Sequence, residues 1–180
     1  MTTAIIALLA LAVFHFTYES VLAPSLRLSL RLRLFVLQDE VRQLKLECAE
    51  SLHGQHLAFL RDSIDGLTSM LNHVDMASLV GVGLESRRDP TFLKQARERA
   101  RMLDDCTVLR VREIRKQTLK IAAEALVVNS GAWVVLFFAP WIIASIGYSE
   151  AKRRFSVLAS LNSREFRRIS PVESAAAAVF

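Results

Sequence analysis

Positions 125–149 read ALVVNSGAWVVLFFAPWIIASIGYS, 25 residues without one charge. Arg115, Lys116, Lys120 and Glu124 stand before the run; Glu150, Lys152, Arg153 and Arg154 follow it. A helix needs about 20 apolar residues to cross the hydrocarbon core of a bilayer, so the run is long enough. Taken so, it makes the chain an all-α membrane protein. Two geometries fit. The expected one is a single crossing kinked at Pro140, since proline kinks transmembrane helices without ending them. It carries Lys152, Arg153, Arg154, Arg164, Arg167 and Arg168 to the far side, against the tendency of basic flanks to stay cytoplasmic. The alternative is a re-entrant segment turning at Ala139-Pro140, whose limbs of about 14 and 9 residues are each too short to span. It keeps all basic flanks on one side. It also suits Trp133 and Trp141, which are too close in sequence to mark opposite interfaces of one upright helix. Asn129, Ser130 and Ser145 can bond between helices or back onto their own helix.

A second apolar segment lies at the other end, MTTAIIALLALAVFHFTYESVLAPS. Its core at 4–14 has the length of a signal-peptide centre. No Lys or Arg precedes it, however, and Pro24 follows Ala23 where a cleavage site wants a small residue. Residues 4–23 as a helix extend roughly 30 Å, enough to span. The expectation is an uncleaved anchor over 1–24. Arg27, Arg31 and Arg33 come next, which by the positive-inside rule puts residue 25 onward in the cytoplasm. With Lys152, Arg153 and Arg154 they are the candidate basic residues of the membrane interface, able to reach anionic lipid. Within the anchor, His15 and Glu19 are four apart and share a helix face. Ionisable groups at such depth usually meet a partner. Either they form an assembly face, Glu19 meeting His15 of its own or another chain, or Glu19 sits at a shallow interface beside Tyr18.

The region 25–124 reads as a cytoplasmic helical bundle or hairpin. Residues 26–34 alternate Leu with Arg or Ser, a strand-like period. Yet the leucines also form a helical row at 26, 30, 34, 37, 41 and 44, and Leu and Arg are good helix formers. A helix from Ser25 to Leu52, ended by Gly54, is therefore expected. Leu57, Leu60, Ile64, Leu67 and Leu71 step by three and four, a seam that must pack on other helices. A short helix at 74–84 is weakened by Gly81 and Gly83. After a loop at 85–89, Asp89-Pro90 gives an N-cap and a proline at the first helical position. From Pro90 one helix is expected to run unbroken to Gly131, and so into the uncharged segment. The remaining 150–180 read as a basic, weakly ordered tail with one biased tract, Ala175–Ala178.

Composition narrows the chemistry. The net charge is +5; 17 of the 23 Lys and Arg fall in 24–125 beside 14 acids, a balance that suits a membrane surface better than nucleic acid. The runs around Arg97, Arg99 and Arg101 and around Arg110 and Arg112 lie among acids without interleaved aromatics, the pattern of a solvated helix face. Cys48 and Cys106 form no disulfide framework and read as buried thiols. Cys48, His53 and His56 cluster, but Gly54 interrupts them and no fourth ligand is evident, so no metal is expected. There is no phosphate loop, HExxH or GxSxG. No catalytic residue and no cofactor are assigned.

The stretch Leu30-Arg31-Leu32-Arg33-Leu34-Phe35-Val36-Leu37-Gln38-Asp39-Glu40-Val41-Arg42 follows directly on the anchor. It resembles the R-x-R-L-F-x-L-R-D-E-L segment of small two-transmembrane effector proteins of bacterial anti-phage defence, including the membrane effectors that accompany retrons. Gln38 stands where that pattern has Arg. The order of parts is similar over most of the chain. The resemblance implies a multi-pass inner-membrane toxin, oligomeric or held silent by a soluble inhibitory or sensor partner such as a reverse transcriptase–nucleic acid complex. Released on infection, it would permeabilise the membrane. The other class compatible with the residues is a non-toxic structural or scaffold subunit of a larger membrane assembly.

Overall fold

A computed structural model of the chain describes residues 2–47, 54–131 and 147–169. The elements are α1 (Thr2–Thr17), a π-helical turn (Tyr18–Leu22), α2 (Ala23–Glu47), α3 (Gly54–Met70), a 3-10 turn (Leu71–His73), α4 (Met76–Arg88), α5 (Pro90–Asp104), α6 (Leu109–Asn129), α7 (Tyr148–Leu158) and α8 (Ser163–Ile169). Among the described residues there is no strand. α2, α3 and α6 pack mutually; α4, α5, α7 and α8 close the other side of that trio.

The first three elements are one helix, so the expected boundary at residue 24 is not a break. Pro24 lacks an N–H, and its ring would press on the carbonyl of Ser20 in a regular α-helix. The wide turn sits at that place: the Ala23 N–H reaches back five residues to the Tyr18 carbonyl. Within this helix one segment, Leu9–Glu47, is long and apolar enough to cross a membrane, and only 6% of its apolar window is buried. The core helix of a soluble protein would be mostly covered. In α2 the helical row prevails over the alternating pattern, with Leu30, Leu34, Leu37, Val41 and Leu44 all buried. Leu26, expected at the head of that row, is 44% exposed, and Leu28 and Leu32 are exposed and share an outward stripe with Phe35 and Val36. The seam of α3 is buried from Leu57 through Leu71.

Three expectations need correction. First, the helix from Pro90 does not run to Gly131. It stops at Asp104 and restarts at Leu109. The sequence between is Asp105, Cys106, Thr107 and Val108, all weak helix formers, and Asp105 N–H completes α5 on the Arg101 carbonyl. Second, the uncharged run does not start as a free membrane segment. Its first residues complete α6 inside the bundle, where Ala125 and Val128 are buried. Third, the region after residue 147 is not a loose tail up to Ile169. Val157, Leu158, Leu161, Phe166 and Ile169 belong to the same hydrophobic core as α2, α3 and α6. Glycines permit that docking. A Cβ on Gly66 would overlap the Leu161 carbonyl and lie 3.0 Å from Asn162 Cα; one on Gly81 would overlap the Ile169 carbonyl. The same Gly81 leaves α4 intact, since Asp75 caps it by accepting from Ser78 N at 2.8 Å. The α4 helix therefore runs to Arg88, and the expected loop shrinks to Asp89. There the N-cap holds as expected, with Asp89 Oδ1 accepting from Thr91 N at 3.0 Å. Residues 132–146, and with them Pro140, Trp133, Trp141 and Ser145, lie outside the described residues, as do Cys48, His53 and Ala175–Ala178.

Candidate functional site at the anchor–bundle junction

The π-helical turn, the start of α2 and the end of α6 meet at one place. Helix ends leave backbone groups without partners, and here side chains supply them. The Tyr18 hydroxyl donates to the Val128 carbonyl at 3.1 Å, a bond between residues 110 apart in sequence. One residue on, Asn129 uses both ends of its amide. Its Nδ2 donates to the Leu71 carbonyl at 2.6 Å and the Val74 carbonyl at 3.0 Å. Its Oδ1 accepts from Arg27 Nε at 2.8 Å. Ser130 Oγ accepts from Met76 N at 3.0 Å and so helps cap α4. Asn129 and Ser130 thus bond between elements, not back onto α6. Gly131 then takes φ +68°, the left-handed conformation that commonly ends a helix.

Arg33 reinforces the seam by pairing with Glu124 of α6. Arg31 is half-buried on α2, its Nε out of solvent and without an acceptor. Beside these residues a groove of about 420 Å³ runs between α2 and α6, lined by Leu26, Leu30, Val127 and Val128 among others. Of the three arginines that follow the apolar segment, Arg27 and Arg33 therefore act as ties between helices. The anchor pair is elsewhere in character: His15 and Glu19 are both exposed, and no ion pair joins them.

Lys152, Arg153 and Arg154 sit on α7, away from this junction. Arg153 and Arg154 share Glu150, Arg154 Nε at 3.1 Å. α7 is held by a residue the sequence presented only as a flanking charge. Arg115 is 1% exposed. Its Nη1 donates to the Ala159 carbonyl at 3.2 Å; its Nη2 donates to Ser160 Oγ at 2.7 Å and to the Ser156 carbonyl at 3.1 Å. Nε faces Asp104 at 3.4 Å. Burial pulls the Arg115 pKa below its ordinary value, and Asp104 opposes the shift through its charge and hydrogen bond. The available signal was position: Val111, Arg115, Thr118, Ala122 and Ala125 form one buried row of α6, so a charge stood where a core residue belongs.

No group of three or more metal-ligating side chains occurs among the described residues. Cys106 is a buried free thiol. Comparison with protein-family models, with curated proteins and with solved structures returns no match.

Proposed function

We propose that this chain is a non-enzymatic, membrane-anchored effector, whose cytoplasmic helical bundle carries a second apolar segment to the bilayer surface and permeabilises the membrane when released from a partner. The observation that carries this reading is the junction. The exposed apolar helix enters the bundle where Tyr18 and Arg27 touch the end of α6, and the uncharged run leaves from the same end of α6. Both apolar elements thus start from one spot. The resemblance of 30–42 to the defence effectors points the same way and supplies the idea of a silencing partner and of a bacterial inner membrane.

The same flanks support one topology. Ser130 bonds α4, and α7 packs on α4 and α5, so both flanks of the run belong to one helical body. A helix of the 15 residues between these flanks would extend only about 22 Å, short of the roughly 30 Å core. We therefore favour re-entry over a kinked crossing, with Arg153 and Arg154 on the bundle's side. Labelling of single cysteines placed at 152 and 42 in intact cells tests this. Both should be protected from an impermeant reagent; labelling at 152 alone would restore the crossing.

The activity is tested by inducible expression with a membrane-potential dye. Depolarisation that is abolished by Asn129→Leu at equal expression supports it. Unchanged potential and normal growth, with no inhibitor co-expressed, would refute it. The scaffold reading has its own observation: Leu28, Leu32, Phe35 and Val36 expose an apolar stripe on α2 just beyond the anchor. A stable complex of unlike chains from detergent, without toxicity, favours that class.

A further inference from the structure

The basic run around Arg97 is not a uniformly solvated face. Arg97 and Arg101 lie on one side of α5, and α7 brings Lys152 and Arg153 to face them across a cleft of about 540 Å³. Leu119, Phe155 and Val157 contribute apolar lining. The cleft holds one carboxylate, Asp104, which is already turned to Arg115. Glu150 is divided between Arg153 and Arg154. No carboxylate among the described residues lies within ion-pair distance of Arg97, Arg101 or Lys152. Arg97 Nε is out of solvent and has no acceptor. A donor left so costs free energy that an anion would recover. Burial, followed by repulsion from Arg153 and more weakly from Arg101 and Arg154, holds the Arg97 pKa below its usual range, with Glu150 opposing.

We propose that this cleft binds a soluble organic phosphate with a flat apolar body, the chemistry of a nucleotide, its phosphates held by Arg97, Arg101, Lys152 and Arg153 and its body lying on Phe155 and Leu119. Guanidinium forks match phosphate oxygens in pairs, and the volume falls in the usual range of small-molecule sites. A lipid headgroup carries the same phosphate chemistry, and of the lining Ser149 closes the uncharged run and Lys152 follows it, so the lipid arm of the test separates the two sources. The site is independent of the effector reading and is measured without reference to toxicity.

Calorimetric titration of the full chain in neutral detergent tests the proposal, with ATP and inorganic phosphate as probes. ATP binds saturably, more tightly than inorganic phosphate, and weakens as salt rises. Arg101→Gln and Lys152→Gln each reduce its affinity at least about tenfold. Phe155→Ala weakens ATP and leaves inorganic phosphate unchanged. The apo Arg97→Gln chain melts no lower than the parent, since a repulsive charge is removed, yet gains less from ATP. Absence of ATP binding at millimolar concentration overturns the proposal, as does equal binding by the Arg101 and Lys152 variants. A third arm uses nanodiscs containing phosphatidylglycerol: lipid binding that depends on Arg101 and is not displaced by ATP would also overturn it.

Discussion

Replacing Arg115 tests whether α7 is held by a polar clamp or by packing alone. In Arg115→Ala the Ala159 carbonyl loses its guanidinium donor and the long aliphatic stem leaves a void. Ser156 O keeps its bond from Ser160 Oγ at 2.7 Å, and Asp104, 47% exposed, regains water. The uncompensated losses are therefore one orphaned carbonyl, one weakened hydroxyl and the void. An unsatisfied buried carbonyl at about 1–3 kcal/mol and the cavity together put the cost at about 2–5 kcal/mol. That is a large share of the ~5–15 kcal/mol that holds a domain together. Arg115→Met keeps most of the volume and removes the charge with its desolvation penalty, so the expected cost falls to about 1–3 kcal/mol. The assay is urea unfolding of the detergent-solubilised chain followed by circular dichroism, with hydrogen exchange resolving α7. Exchange in α7 should accelerate before exchange in α2 and α6. Burial lowers the Arg115 pKa from an ordinary value far into the alkaline range, so the guanidinium stays charged at neutral pH, and any gain from its deprotonation arises only in strong alkali. The deficit is thus constant across neutral pH. A Met variant as stable as the parent, or an Ala variant costing under about 1 kcal/mol, would refute the clamp.

Gly66→Ala should destabilise by about 1–3 kcal/mol in the same unfolding assay, because its Cβ meets the backbone at Leu161 and Asn162. Gly54→Ala, with nothing within 4 Å, is the control and should be neutral or stabilising by up to about 1 kcal/mol. Asn129→Ala orphans the Val74 carbonyl, leaves the Leu71 carbonyl only its bond from Val74 N at 3.4 Å, and should cost about 1–3 kcal/mol, with faster amide exchange there and at the start of α4. Asp89→Ala removes the cap of α5 and should cost about 1 kcal/mol, read as the same midpoint shift in urea.

What the residues disclosed was periodic. The rows of α2 and α3 and the Asp89-Pro90 cap needed only local spacing to be seen, and the structure buries or bonds them accordingly. What stayed hidden depends on partners far away in the chain. Gly81 reads as a weak point and Gly66 carries no signal, because a glycine's value as a contact is invisible without the backbone that approaches it, here from 169 and 161. Phe155, Val157, Leu158 and Phe166 were outweighed by the arginines among them, though their spacing already described an amphipathic helix. The break at 105–108 was missed because four mildly unfavourable residues carry no Gly or Pro to mark them. At the junction, Asn129 and Ser130 were legible as polar groups in an apolar run, but not Tyr18, whose partner is a backbone carbonyl.

The dependence of the core on its last helices has a consequence in time. Ser63 of α3 touches the Ser160 carbonyl, 97 residues later, and Tyr18 waits for Val128. At a synthesis rate of about 5–20 residues per second, the apolar rows of α2 and α3 stand open for roughly 5–20 s after leaving the ribosome. During that interval the long apolar helix has left the ribosome while the bundle is not yet closed. A chaperone or a waiting partner chain has its opportunity then, and a polypeptide cut before residue 160 never leaves that state.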